Sequence, residues 1–403
     1  MDSESQNTTG LSAELSTADI SLETLASQFL DEYRQWLNPS IEDYAIAYPE
    51  YAEAIRESFP VLITMEQWKG NREYSRLLYP LPDEFNLKQL GDCRFIREIS
   101  RNKTSISYEA IQGGSNRRVA VKLLPWKSKT IPRWRDRFKL EARLASRLKH
   151  QNIVSLYHSG EDQGYCYAIL QLVNGVRLDQ IIQYLSDENK EIPHDEQTEA
   201  VALTLTQNKW NTFAGIGLQI AKALQYSHGR GILHYNINPE NILLNCEGQS
   251  WLANFTLPQF AEGVLKQQSA KVLLYQAPER FKDQHNEQSD LYSLGMVMYE
   301  LATLTPAFET HKRSQLANHI IHNEVLRPRK RNAKIPVDFE TIILNCIAKS
   351  QQTRYQSAKE LSLDLVRFIN GKSIKRRTRS HDSTNKKWSE FCDKKWFEFW
   401  KKN

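Results

Sequence analysis

The residues of this 403-residue chain that could do chemistry fall into a few short stretches. Val119-Ala120-Val121-Lys122 sets an ammonium within an apolar run, where it offers a point charge to an anionic ligand. His234-Tyr235-Asn236-Ile237-Asn238-Pro239-Glu240-Asn241 gathers an imidazole and three amides, and Asn254-Phe255-Thr256 adds a fourth amide. Amides donate, accept and orient, but none is a base at pH 7. Glu141, Glu279, Asp290 and Arg354 supply charges further along. The five cysteines (Cys93, Cys166, Cys246, Cys346, Cys392) are odd in number and never spaced C-x-x-C. That usage argues for reduced thiols and against a zinc site or a disulfide framework.

These stretches need elements to hold them. Residues 1–20 are polar, lack an apolar period and are expected to be disordered. Leu22, Leu25, Phe29 and Tyr33 recur at three- and four-residue steps, which predicts a helix. Ser40 with Asp43 starts a second helix and Pro49 a third, so 21–79 reads as a small helical module, with Pro80-Leu81-Pro82 as its linker. From 91 to 126 the period shifts toward two, and a basic helix is expected at 133–148. More strand-like text follows at 153–158 and 165–173, and beyond 211 the chain is helical apart from a β-like interruption at 241–255. Strands first and helices second predict an α+β protein of two lobes.

The ordered motifs resemble the eukaryotic-type Ser/Thr protein kinases found in bacteria. Lys122 looks like the third-strand lysine and Glu141 like its partner on the C helix. Gly231-Ile232-Leu233-His234 through Asn241-Ile242-Leu243-Leu244 is similar to the catalytic loop. Asn254-Phe255-Thr256 stands where Asp-Phe-Gly belongs, and Ala277-Pro278-Glu279 looks like the end of the activation segment. Ser289-Asp290 resembles the start of the F helix, and Arg354 the arginine that pairs with Glu279. The resemblance spans about 91–370 and implies a bilobal kinase-like fold, with an N-lobe at about 91–174 and a C-lobe at about 175–370. The helical segment at 21–69 also resembles an extension found before some of these kinases.

Under that resemblance the departures carry the functional expectation. Asn236 replaces the catalytic carboxylate and Asn238 the lysine near the transferring phosphate. Tyr235 replaces the arginine that would receive an activation-loop phosphate, and Asn254 the carboxylate that holds magnesium. Thr256 replaces a glycine, and the three glycines of the phosphate loop become Ser100, Asn102 and Ser105, with Ser107 in place of the valine over the adenine. No catalytic or metal position is intact by this reading, Asn241 being a metal position without its partner. Loss of the base alone costs about 10²–10⁴ in rate, and the electrostatic losses are larger. The expectation is a non-enzymatic pseudokinase that regulates or scaffolds another kinase or signalling protein. The alternatives are a weak or unconventional ATP-dependent Ser/Thr kinase using Lys122, Asn241 and Asn254, and an ATP sensor without turnover.

Lys122, Glu141 and Asn241 are retained, which implies a weak ATP site or, more simply, an ion pair that fixes a helix on a sheet. No cofactor is required on this reading, with ATP in the absence of magnesium the remaining option. His234 and Phe255 read as packing residues, and Glu279, Asp290 and Arg354 as architecture. In the activation segment Val272 takes the usual threonine position, Tyr275 belongs to a structural turn, and Ser269 remains a phosphosite candidate without an arginine to read it.

The last 33 residues carry eleven basic against four acidic side chains, a net +7 that leaves −2 for the rest of a chain of net charge +5. Within 371–403, Trp388, Phe391, Cys392, Trp396, Phe399 and Trp400 recur at helical spacing between lysines. Three readings stay open: contact with an anionic membrane, a protein partner, or return onto the helical lobe. Nucleic acid is a weaker fourth. No apolar run reaches membrane-spanning length and the start lacks a signal peptide's basic and apolar parts, so the expected location is cytoplasmic, with peripheral contact at the inner membrane face as an option.

Overall fold

The computed structural model describes residues 21–34, 39–63, 87–101, 105–127, 132–187, 195–255, 270–282, 284–308 and 313–375. Backbone contacts divide the chain into one unit at Met1–Pro80 and a second at Leu81–Asn403.

In the first unit, α1 (Leu22–Arg34), α2 (Ile41–Ala47) and a third helix, α3, over 52–63 surround a small core of Leu25, Phe29, Ala45, Ile55 and Phe59. The apolar spacing of α1 puts Leu25 and Phe29 one turn apart on one face, where Phe29 meets Phe59 with ring centroids 4.6 Å apart. Ser40 caps α2 by accepting the Asp43 N–H at 3.2 Å.

The second unit opens with a six-stranded antiparallel sheet in the order β1-β2-β3-β4-β6-β5. Its strands are β1 (Gln89–Leu90), β2 (Cys93–Arg101), β3 (Ile106–Gln112), β4 (Arg117–Lys127), β5 (Leu156–Asp162) and β6 (Tyr165–Gln171). Alternation along β4 buries Val119, Val121 and Leu123 with Ile106, Tyr108 and Ile169 on one face. Lys122 and Leu124 take the opposite face, where Leu124 meets Phe138 from α4 (Pro132–Ala145). The same ladder sets Ser107 and Ala168 opposite Lys122.

Helices α5 (Leu178–Ser186), α6 (Glu196–Gln207), α7 (Lys209–His228), α8 (Glu287–Thr303), α9 (Arg313–His322), α10 (Val337–Cys346) and α11 (Ala358–Ile369) build the larger lobe. Most of α8 is buried. Close approach explains one glycine within it and one on the neighbouring α7. A Cβ at Gly217 would lie 2.6 Å from Met298 Sδ, and one at Gly295 only 2.4 Å from Cys346 Cβ. A second small sheet, β7 (Val176–Arg177), β8 (Ile242–Leu244) and β9 (Ser250–Leu252), lies at the join of the lobes. The Val154 N–H donates to Leu252 O at 3.0 Å and the Leu252 N–H to Asn152 O at 2.9 Å. These bonds fix the segment leading into β5 against β9, and so register one lobe on the other.

Candidate nucleotide and phosphoryl-transfer site

The loop 232–241 enters β8, and Asn254 follows β9 by two residues, so the β8–β9 hairpin brings the two amide-bearing stretches side by side. The Ala253 N–H donates to Asn241 O at 2.9 Å and locks them together. Below the loop, Asp290 stands in the first turn of α8, which Asn286 and Ser289 cap reciprocally. Its carboxylate, 1% exposed, accepts the His234 N–H at 2.8 Å and the Tyr235 N–H at 3.1 Å. The His228 and His285 Nε2 atoms lie 2.9 and 3.1 Å from the same carboxylate. Burial opposes the charge on Asp290, but the hydrogen bonds from His228 and His285 outweigh burial and hold its pKa well below the usual carboxylate range.

Four of the residues singled out from the sequence meet in one polar relay. The Lys122 Nζ donates to Asn254 Oδ1 at 2.9 Å, Asn254 Nδ2 to Asn241 Oδ1 at 2.8 Å, and Asn241 Nδ2 to Asn236 O at 2.8 Å. Asn238 joins from the side, its Nδ2 donating to Asn236 Oδ1 at 3.0 Å, while its own Oδ1 accepts the Glu240 N–H at 3.0 Å. An ammonium only donates and a backbone carbonyl only accepts, so both ends impose the same direction on every amide between them. Asn254 adopts φ 62°, a left-handed conformation that asparagine tolerates better than most residues.

His234 is fully buried and neutral by geometry as well as environment. Its Nε2–H donates to Ala253 O at 2.9 Å, and its Nδ1 accepts the Asn236 N–H at 3.2 Å, so a proton at Nδ1 would face another donor. Burial pushes its pKa down to about 4. Phe255 packs on it with centroids 4.5 Å apart. Tyr235, at φ 65°, stacks on His285 at 4.2 Å with the Arg280 guanidinium 5.4 Å from its ring. Glu279 and Arg354 form a buried bidentate pair, with bonds at 2.6 and 2.8 Å, and Ser289 Oγ also donates to Glu279 at 2.7 Å. Glu141 is half-buried on α4, and Ser100 pairs with Ser107 across β2 and β3, beside buried Ser105. Val272 and Tyr275 lie in and just after a helical turn at Ala270–Leu273, and the Tyr275 hydroxyl bonds Glu300. Asn102, Thr256, Ser269, residues 1–20 and the tail from 376 lie outside the described residues.

A feature that sequence reasoning missed adjoins the loop. A cavity of about 320 Å³ is lined by Asp179, Asn238, Glu240, Lys271, Tyr275 and Glu300. It lies on the Asn238 side of the loop. Lys271 reaches into the acidic set, 3.3 Å from Glu240 and 3.9 Å from Asp179. Burial raises the pKa of Glu300, although its bond to Tyr275 works the other way. These acids are about sixty residues apart in sequence and carry no spacing signal. His228 and His285 were missed for the same reason.

The fold implies a magnesium ion held at the positions of Asn241 and Asn254. Their oxygens are neutral, and each already accepts a hydrogen bond within the relay, whereas magnesium favours hard anionic oxygens. The donor set does not fit that ion. Among the described residues no group of three or more His, Cys, Asp or Glu is arranged to hold a metal, and no helix is long and apolar enough to cross a membrane.

The protein kinase domain family model matches residues 94–365. The chain is 30% identical over 278 residues to serine/threonine-protein kinase PknE of Mycobacterium tuberculosis, covering 68% of this chain and 45% of that protein. It is 29% identical over 265 residues to serine/threonine-protein kinase PknB of Mycobacterium leprae, covering 64% and 39%. It thus spans less than half the length of these curated relatives. Among solved structures, a cysteine-to-alanine mutant of the Mycobacterium tuberculosis PknI kinase domain superposes with a TM-score of 0.51 at 20% identity, over 70% of this chain and 98% of that one. These relatives overturn the expectation that the chain is no enzyme: proteins at about 30% identity are named serine/threonine-protein kinases. The physical reason is that removing charged groups one by one lowers a rate without abolishing the contribution of positioning. Here Asp290 and the β8–β9 hairpin still hold the loop and Asn254 in place. With most of two lobes accounted for by that match, the chain belongs to the protein kinase domain family.

Proposed function

We propose that this chain is an ATP-dependent Ser/Thr protein kinase of slow, unconventional chemistry, acting on a hydroxyl of another protein or of its own chain. The observation that carries the reading is the relay from Lys122 through Asn254 and Asn241 to Asn236, which ties the strand lysine to the catalytic loop across the cleft. The acceptor oxygen bonds to the γ-phosphorus as the bond to the β,γ-bridging oxygen breaks, and ADP leaves with the electron pair. Neither Asn236 nor Asn238 can take the hydroxyl proton, which passes to water or to a phosphate oxygen. The protein therefore contributes positioning and charge, the larger share of phosphoryl-transfer catalysis.

The test is incorporation of labelled phosphate from γ-labelled ATP by the purified full chain, with Lys122→Ala as control. We expect turnover well below the roughly 1–100 s⁻¹ common among kinases, abolished in Lys122→Ala. Incorporation no greater than that of the control would sink the proposal.

A further inference from the structure

We infer that the nucleotide partner of this cleft is the free triphosphate rather than its magnesium complex, with the Lys122 ammonium standing in for the divalent ion. The inference deepens the kinase reading and rests on its premise that ATP binds at Lys122.

The relay has a fixed direction. Lys122 can only donate, so Asn254 must present Oδ1 to it and turn Nδ2 toward Asn241. Asn241 must then accept with Oδ1 and donate from Nδ2 to the Asn236 carbonyl. A carboxylate at position 254 could only accept, and would call on Asn241 to turn its NH2 the other way. In this chain the two side chains at the metal positions are instead drawn into a chain of donation that begins at a cation. Their oxygens bring no negative charge, and Lys122 Nζ lies 2.9 Å from one of them. A dication at that place would meet the Lys122 ammonium, and the two amide oxygens that would have to hold it are neutral.

An ATP tetra-anion reverses that balance. Its phosphate oxygens favour the same ammonium and can accept from amide N–H groups, whereas magnesium on the β- and γ-phosphates halves the charge and occupies oxygens that would otherwise accept. Added magnesium therefore weakens binding.

The experiment is a thermal-shift titration of the full chain with ATP in EDTA, with ATP in excess magnesium chloride, and with magnesium chloride alone. The expected result is an apparent Kd at least about tenfold lower in EDTA than in magnesium, equivalent to about 1.4 kcal/mol, with no shift from magnesium alone. Asn254→Asp, close in volume, is expected to invert the preference so that its ATP shift requires magnesium. An equal or magnesium-dependent shift in the natural chain overturns the inference and leaves the kinase reading standing. An unchanged preference in Asn254→Asp overturns it too, because the cause lies elsewhere. Absence of any ATP shift in either buffer removes the nucleotide reading and this inference with it.

Discussion

Lys122 and Asn254, 132 residues apart in sequence, are joined by a hydrogen bond of 2.9 Å from Nζ to Oδ1. The bond links strand β4 of the small lobe to the residue that follows the β8–β9 hairpin of the large one. It closes the cleft with a cation and an amide where the family arrangement implies a cation and an anion, and the chemistry expected of the site follows from that difference.

Restoring a base should raise the rate. Asn236 Oδ1 accepts from Asn238 Nδ2, and its backbone oxygen accepts from Asn241, so a carboxylate there keeps both bonds. Asn236→Asp is expected to increase labelled-phosphate incorporation by about 10²-fold or more, with an unchanged melting temperature. A rate equal to that of the natural chain would show that proton removal does not limit turnover.

Arg354→Ala should destabilise the fold without touching the cleft. The arginine is fully buried and bidentate to Glu279, and its loss strands a buried carboxylate. Burial disfavours the charge on Glu279, but Arg354 outweighs it and lowers its pKa, so the charge is retained throughout the neutral range. The expected loss is about 3–5 kcal/mol, read from urea denaturation at pH 7.

Stability should fall with mild acid through His234. Burial lowers its pKa from 6.5 to about 4, so between those values the unfolded chain binds a proton that the folded chain refuses. Its contribution is complete above pH 6.5 and declines as pH drops toward 4, by on the order of 3 kcal/mol. His285 is shifted in the same direction, again by burial first, and adds to the slope. Urea midpoints measured between pH 7 and 4 test this, and a flat profile would contradict the buried neutral imidazole.

Gly295→Val tests the packing under α8. The added atoms would meet Cys346 and Ile347, whose nearest atoms are 2.4 and 2.7 Å from a Cβ at that position. Overpacking of this kind costs about 1–3 kcal/mol, and a melting temperature within error of the natural chain's would show that α10 can yield.

Elements with a strong period were legible in the sequence. The α1 spacing of Leu22, Leu25 and Phe29, the Ser40 cap and the alternation of Val119, Val121 and Leu123 all carry local physics that survives into the fold. Boundaries shifted where tertiary contacts decided them. The helix expected at 133–148 runs from Pro132 to Ala145, and the strand expected at 153–158 begins at Leu156. Before that strand, Val154 bonds Leu252 and Ser155 bonds Gln171, which sets its start.

The site divides along the same line. Residue type alone established that amides occupy positions 236, 238, 241 and 254, and that none can serve as a base or bring charge to a metal, because that is a property of the side chain wherever it sits. Which way those amides point, that Lys122 bonds Asn254, that two histidines flank Asp290, and that Lys271 reaches among Asp179 and Glu240 were decided only by the fold. Those relationships join residues far apart along the chain. Local sequence has no term for such distances, and the packing of the two lobes does.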